Sequence, residues 1–261
     1  MTVADTSGIR MEQVTYSVGG RRILQEFDLR LTPGENRTIL GVSGVGKTTI
    51  LKLILGLLRP DAGRIFINGT AIAGLREQEL TAVRRCIAIV FQGGALFDSM
   101  TVGENVGYRL FEEGELSEAE IERIVLEKLG FVGLEYAINL YPSELSGGMK
   151  KRAAIARALA ADPEYIFFDE PTTGLDPIGV YNIRQLMLRL QQEGKTTLMV
   201  THDLETAFAV SSRFSFIHQG RLVFDGSSDQ LRAASLPEIR EFFAPSEQSL
   251  FTYPNGQEAR L

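Results

Sequence analysis

Gly41-Val42-Ser43-Gly44-Val45-Gly46-Lys47-Thr48 decides how this chain is read. The eight residues fit the spacing G-x-x-x-x-G-K-[ST], and their surroundings give the pattern a mechanism. Thr38-Ile39-Leu40 before them is an apolar run that predicts a buried strand. Thr49-Ile50-Leu51-Lys52-Leu53-Ile54-Leu55-Gly56-Leu57 after them predicts a helix. Glycines between strand and helix let backbone N–H groups curl around phosphate oxygens that a Cβ would keep away. The helix then turns its positive end to the same anion. Residues 41–49, closing with Thr49, are therefore expected to hold a nucleoside triphosphate. Lys47 would reach the β- and γ-phosphates, and the Thr48 hydroxyl would complete a Mg²⁺ site. The alternative, a Gly-rich turn that only joins strand to helix, gives no reason for Lys-Thr at this spacing.

With 261 residues, the chain can hold one large α/β domain or two modest lobes. A net charge of −6 argues against broad electrostatic capture of DNA or RNA, so no nucleic acid is expected as a partner. Cys86 is the only cysteine, which rules out a disulfide within the chain and suits a reducing compartment. Arg84 and Arg85 beside it would favour a thiolate. Its place at the head of Cys86-Ile87-Ala88-Ile89-Val90-Phe91 favours a small buried hydrophobe, the better fit of the two. The opening residues carry Asp5 and no apolar core, so no signal peptide is expected. No apolar stretch approaches the roughly 20 residues that span a bilayer, and a membrane role would come through a partner.

Ile9 to Leu31 alternates apolar and polar residues around Gly19-Gly20, a hairpin signal. With Gly63-Arg64-Ile65-Phe66-Ile67-Asn68-Gly69, whose last two residues suit a turn, it predicts an antiparallel sheet. Buried-strand patterns recur at Cys86–Phe91, Tyr165–Phe168, Thr196–Val200 and Phe214–His218. Ile183, Leu186, Met187 and Leu190 mark a helix that Gly194 can end. Strands alternating with helices imply a largely parallel α/β sheet. Between Phe97 and Asp162 the pattern turns helical: Ser117 is a candidate N-cap with Glu120 three residues on, and Ile121, Ile124, Val125 and Leu129 continue an apolar face. After about Ala233 the periodicity fades among Pro237, Pro245 and Pro254.

Tyr165-Ile166-Phe167-Phe168-Asp169-Glu170 is an apolar strand that ends in two acids, in the crevice where α/β sheets bind ligands. Asp169 would hold Mg²⁺, and Glu170 would accept a proton from the attacking water. Taken alone, the pair is equally readable as solvated surface acids; behind a phosphate loop the catalytic reading is preferred. Leu145-Ser146-Gly147-Gly148-Met149 opens a second helix. A serine and two glycines at a helix N-terminus can bind an anion, or the serine can be an ordinary N-cap.

Taken in order, these motifs resemble those of ABC-type ATPases. Leu145 to Met149 is similar to the family's signature loop, with Met149 where Gln is usual. Tyr16 matches the aromatic that stacks on adenine, Gln92 the Q-loop glutamine, Asp176 of Gly174-Leu175-Asp176 the D-loop, and His202 the switch histidine. The likeness covers residues of about 10 to 225. It implies a P-loop NTPase core of ABC type with an N-terminal antiparallel β subdomain and an inserted helical subdomain of about 97–162. The whole domain would span 8–234, followed by a tail of 235–261. It implies a head-to-tail homodimer with two buried ATP molecules, each held by one copy's phosphate loop and by Ser146, Gly147 and Gly148 of the other. His202 would contact the γ-phosphate, Gln92 would sense Mg²⁺ and water, and Asp176 would touch the opposite copy. Tyr16 has a rival reading, simple packing of a strand aromatic. Met149 leaves the serine and glycines in place, so active hydrolysis is expected.

Phe91-Gln92-Gly93-Gly94-Ala95-Leu96-Phe97, Pro142-Ser143-Glu144-Leu145 and Asp176-Pro177-Ile178 bring the likeness closer to the MlaF-type ATPases of bacterial phospholipid transport. Relatives often carry Ser where this chain has Gly93. That likeness implies an integral-membrane permease, a lipid-binding shuttle subunit, and a peripheral place on the cytoplasmic face of the inner membrane. The apolar residues from Ala95 to Val106 would either receive a permease helix or pack within the helical subdomain. The aromatic tail, Phe242-Phe243 and Phe251-Thr252-Tyr253, would either dock on a neighbouring subunit or pack on its own domain. An importer ATPase for another cargo, such as an amino acid, and a non-transport regulatory clamp remain rival functions.

Overall fold

The computed structural model describes residues 7–249. Strands β1 (Ile9–Val18) and β2 (Arg21–Leu31) pair antiparallel around Gly19-Gly20. β3 (Asn36–Leu40) feeds the phosphate loop and α1 (Lys47–Ile54) leaves it. β4 (Ala62–Ile67) and β5 (Thr70–Ala71) form the hairpin with Asn68-Gly69 as its turn. There follow α2 (Glu77–Arg84), β6 (Ile87–Val90), α3 (Val102–Glu113), α4 (Glu118–Val132) and α5 (Gly147–Leu159). Strands and helices then alternate through β7 (Tyr165–Asp169), α6 (Pro177–Gln192), β8 (Thr196–Thr201) and α7 (Leu204–Val210). β9 (Arg213–His218), β10 (Arg221–Ser227), α8 (Ser228–Arg232) and α9 (Pro237–Ser249) complete the order.

Local chemistry sets several of these limits. The N–H and hydroxyl of Ser117 both donate to the Glu120 carboxylate, at 2.8 and 2.6 Å, and so start α4. At the head of α3 the pair is reciprocal: Thr101 N–H donates to the Glu104 carboxylate at 2.7 Å, and Glu104 N–H donates to the Thr101 hydroxyl oxygen at 3.2 Å. Gly194 takes the positive-φ position just past α6.

Two sheets result. The antiparallel one has the order β2-β1-β4-β5, and the larger one β10-β9-β3-β8-β7-β6. The larger sheet is parallel from β9 through β6, with β10 antiparallel at one edge. Alternation along β7 shows how it is covered. Tyr165 and Phe167 pack with β1, β2 and α1, whereas Ile166 and Phe168 pack with the layer of α3 to α6. A parallel strand buried on both faces reads as the continuous apolar run seen in the sequence.

Two expectations change. The tail does not lose its structure after Ala233: Ile239, Phe242 and Phe243 recur at helical spacing in α9, and Pro237 suits a first helical turn. Ile239 is fully buried, Phe242 meets Phe216 edge-on with centroids 5.2 Å apart, and Phe243 stacks on Phe208 at 6.1 Å. These side chains pack on their own domain, the second of the two readings given for them; Phe251 and Tyr253 lie outside the described residues. The stretch from Ala95 to Val106 divides, since Val102 and Val106 are fully buried and Phe97 is 42% exposed. Cys86 takes its better-fitting reading: it is half-buried, its thiol donates to the Val83 carbonyl, and burial, helped by the charge of Glu164, pushes its pKa up.

Candidate ATP-binding and hydrolysis site

Parallel strands deliver their carboxyl ends to one edge of a sheet. Leu40 lies beside Thr201, Val200 beside Asp169, and Phe168 beside Val90. The phosphate loop, His202, Glu170 and Gln92 thus emerge next to one another from four adjacent strands, although the chain reaches them far apart.

Gly41 runs so close to β9 that an added Cβ would lie 2.7 Å from the Ile217 carbonyl oxygen. Gly46 caps α1 at φ 111°, where a side chain would also crowd Ile23. Lys47 is 6% exposed. Its ammonium donates to the carbonyls of Gly41 at 2.7 Å and Val42 at 3.2 Å, and stands 3.7 Å from the Glu170 carboxylate. Burial lowers the Lys47 pKa against the pull of Glu170. Thr48 donates its hydroxyl to Asp169 at 2.9 Å, and burial raises the Asp169 carboxyl. Two hard oxygen donors in contact, one a desolvated carboxylate, suit Mg²⁺, which takes few protein ligands and keeps waters. Thr49 lies in the first turn of α1. Val42, Ser43, Gly44 and Val45 share a cleft of about 310 Å³ with Arg21, Arg22 and His218, which the sequence reading passed over. Tyr16 is half-buried, opposite Leu24, and packs partly on the core.

Glu170 has φ 48°, a left-handed conformation unusual for a side-chain-bearing residue. Its N–H donates to the Val200 carbonyl at 2.9 Å. Its carboxylate accepts from the Thr201 hydroxyl at 2.9 Å and meets Nδ1 of His202 at 3.0 Å. Asp203 anchors the loop that follows β8: it accepts from the hydroxyls of Thr172 and Thr206, and its own N–H donates to Thr201. Gln92 has an exposed side chain, but its carbonyl accepts from Lys151, which also reaches the carbonyls of Phe91 and Glu170. Burial pushes the Lys151 pKa down to about 8, against the pull of Asp169 and Glu170. Lys151 was missed in the sequence, yet it shares a helical stripe with the buried Ala154, Ile155 and Ala158.

Ser146 caps α5, its hydroxyl oxygen accepting from Met149 N–H at 3.2 Å. Asp176 caps α6 and accepts from Gly179 N–H at 2.7 Å. With Gly147 and Gly148 they line a groove of about 370 Å³, none of whose lining residues belongs to the phosphate loop. A Cβ on Gly147 would meet nothing closer than Leu175 at 3.9 Å, and one on Gly148 nothing closer than Gly179 at 4.0 Å. Packing within the chain therefore does not call for glycine at either position.

Residues 24–173 match the family described as ABC transporter. This chain belongs to that family. It is 42% identical to the intermembrane phospholipid transport system ATP-binding protein MlaF of Haemophilus influenzae, over 94% of each chain. It is 40% identical to the probable ribonucleotide transport ATP-binding protein mkl of Mycobacterium tuberculosis, over 90% of this chain and 66% of that one. A dimeric ATP-binding cassette solved in a post-hydrolysis state with ADP and Pi superposes with a TM-score of 0.77 at 35% identity, over 84% of this chain and 98% of that one. The protein is an ABC ATPase, the subunit that binds and hydrolyses ATP. Among the described residues no helix is long and apolar enough to cross a membrane.

Proposed function

We propose that this ABC ATPase drives phospholipid movement, working as two copies under a separate permease on the cytoplasmic face of the inner membrane. The observation that carries this reading is 42% identity along 94% of both chains to a phospholipid transport ATPase. A lipid-binding shuttle subunit belongs to the same reading. The ATPase domain of this reading spans residues 8–234, with α9 packed on it, and its helical subdomain of about 97–162 meets the permease near the exposed Phe97.

Each ATP lies between copies, on the phosphate loop of one and against Ser146, Gly147 and Gly148 of the other. The glycines support this. At the head of α5 they cost up to about 1 kcal/mol each relative to alanine, and no described neighbour needs the room. A second copy's triphosphate does. The Ser146 oxygen is engaged as a cap, but its hydroxyl proton stays available to an anion. Asp176, at the rim of the same groove, faces the other copy.

Thr48, Asp169 and Gln92 would hold Mg²⁺, which supplies positive charge to the β- and γ-phosphate oxygens when bound. Lys47 releases the loop carbonyls and pairs with the phosphates. Glu170 takes the proton of the attacking water. His202, held through Nδ1 by Glu170, keeps Nε2 for the γ-phosphate. Tyr16 stacks on adenine with the part of its ring that the core leaves open.

The test is ATP-dependent transfer of a fluorescent phospholipid between vesicles by the ATPase–permease complex. Transfer by the wild type and none by Glu170→Gln is expected. ATP hydrolysis without lipid movement overturns the cargo. The mycobacterial relative's name favours a second reading, the same motor with a nucleotide cargo; stimulation by ribonucleotides and not by phospholipid would establish it.

A further inference from the structure

We propose that Lys151 is a positioning residue for hydrolysis, its ammonium joining the signature helix α5 to the loop of Gln92 and to the backbone of Glu170. Lysine is seldom fully buried, because its charge loses water. Lys151 is only 5% exposed. What replaces water is specific: the carbonyl oxygens of Phe91 at 3.3 Å, of Gln92, and of Glu170 at 3.5 Å. All three acceptors leave the carboxyl ends of β6 and β7, where the chemistry is. An ammonium has three donors, and here each has a carbonyl.

The consequence for Glu170 is geometric. Its left-handed backbone needs support from both sides. Val200 holds the N–H and Lys151 the carbonyl. The side chain is then aimed at Thr201 and His202. Lys151 lies one turn past Gly147, so a shift of α5 when a nucleotide meets the signature serine is delivered through one side chain to Gln92 and Glu170 together. A neutral side chain of the same length fills the space and loses the link. This inference rests on Glu170 as the base.

The experiment uses the full chain assembled with its permease. Lys151→Met is expected to lower kcat at least tenfold while KM for ATP, and Kd for a fluorescent ATP analogue, stay within twofold. Lys151→Arg, which can donate to the same carbonyls, is expected to return kcat to within threefold of wild type. Should Lys151→Met not fold, Lys151→Leu, which likewise carries no donor, takes its place and the same split is required of it. Wild-type kcat in Lys151→Met, or equal loss of kcat and nucleotide affinity in the Met and Arg variants, overturns the assignment. Glu170→Gln is run alongside. If it is inactive and Lys151→Met is normal, this inference alone fails; if Glu170→Gln turns over normally, the reading beneath it fails.

Discussion

The Glu170 carboxylate and Nδ1 of His202 lie 3.0 Å apart across the ends of two neighbouring strands, 32 residues distant in the chain. The contact orients both groups at once. A proton on Nδ1 makes it a hydrogen bond, and the carboxylate keeps its remaining lone pairs for Thr201 and for water.

Replacing Glu170 by Gln removes the base while keeping a partner of the same shape for His202 and Thr201. Turnover should fall by about 10²–10⁴-fold, with ATP affinity little changed. Light scattering under MgATP should show a persistent dimer. Normal hydrolysis in this variant would mean that another group takes the proton.

Ser146→Arg places a long cation in the groove proposed for the neighbour's phosphate. ATP binding to a single copy should persist, because no phosphate-loop residue lines that groove, while hydrolysis should drop by roughly tenfold or more, a rise of about 1.4 kcal/mol in the barrier. Ser146→Ala is the control: it loses the same helix cap, worth about 1 kcal/mol, without the bulk, and should retain more activity. Equal rates in the two variants would remove crowding as the cause.

The chain has no tryptophan, so Tyr16→Trp introduces a sole reporter beside the proposed adenine. Its emission should change as ATP is titrated and saturate at the ATP affinity measured independently. An unchanged spectrum would leave Tyr16 as a packing residue of β1.

Ile239 is fully buried on the inner face of α9. Ile239→Ala should cost about 2–5 kcal/mol and lower Tm by roughly 5–15 °C for a chain of this size. A thermal melt read by circular dichroism gives the answer. A shift under about 2 °C would separate α9 from the cooperative core.

Much of the site was legible as local pattern. The phosphate loop was visible from its glycine spacing between an apolar run and a helix. Asp169 and Glu170 were visible as acids at the end of a buried strand, whereas His202 came only through the resemblance to ABC-type ATPases. Lys151 was not, because a lysine in a helix reads as solvated until the chain supplies carbonyls around it. Nor was α9, whose apolar residues are few and set among prolines, the strongest punctuation a linear reading has.

Short-range chemistry is what the amino-acid order determined by itself: the anion-binding turn of residues 41–48, the Ser117–Glu120 helix start, and the apolar strands with polar residues at their ends. Only the tertiary structure decided that β3 enters between β8 and β9, which sets Leu40 against Thr201 and so brings Thr48 to Asp169 and Lys47 to Glu170. The reason is that parallel strands recognise one another through backbone hydrogen bonds common to every residue. Which strands adjoin is chosen by how helices and sheets cover both faces, and no local motif encodes that.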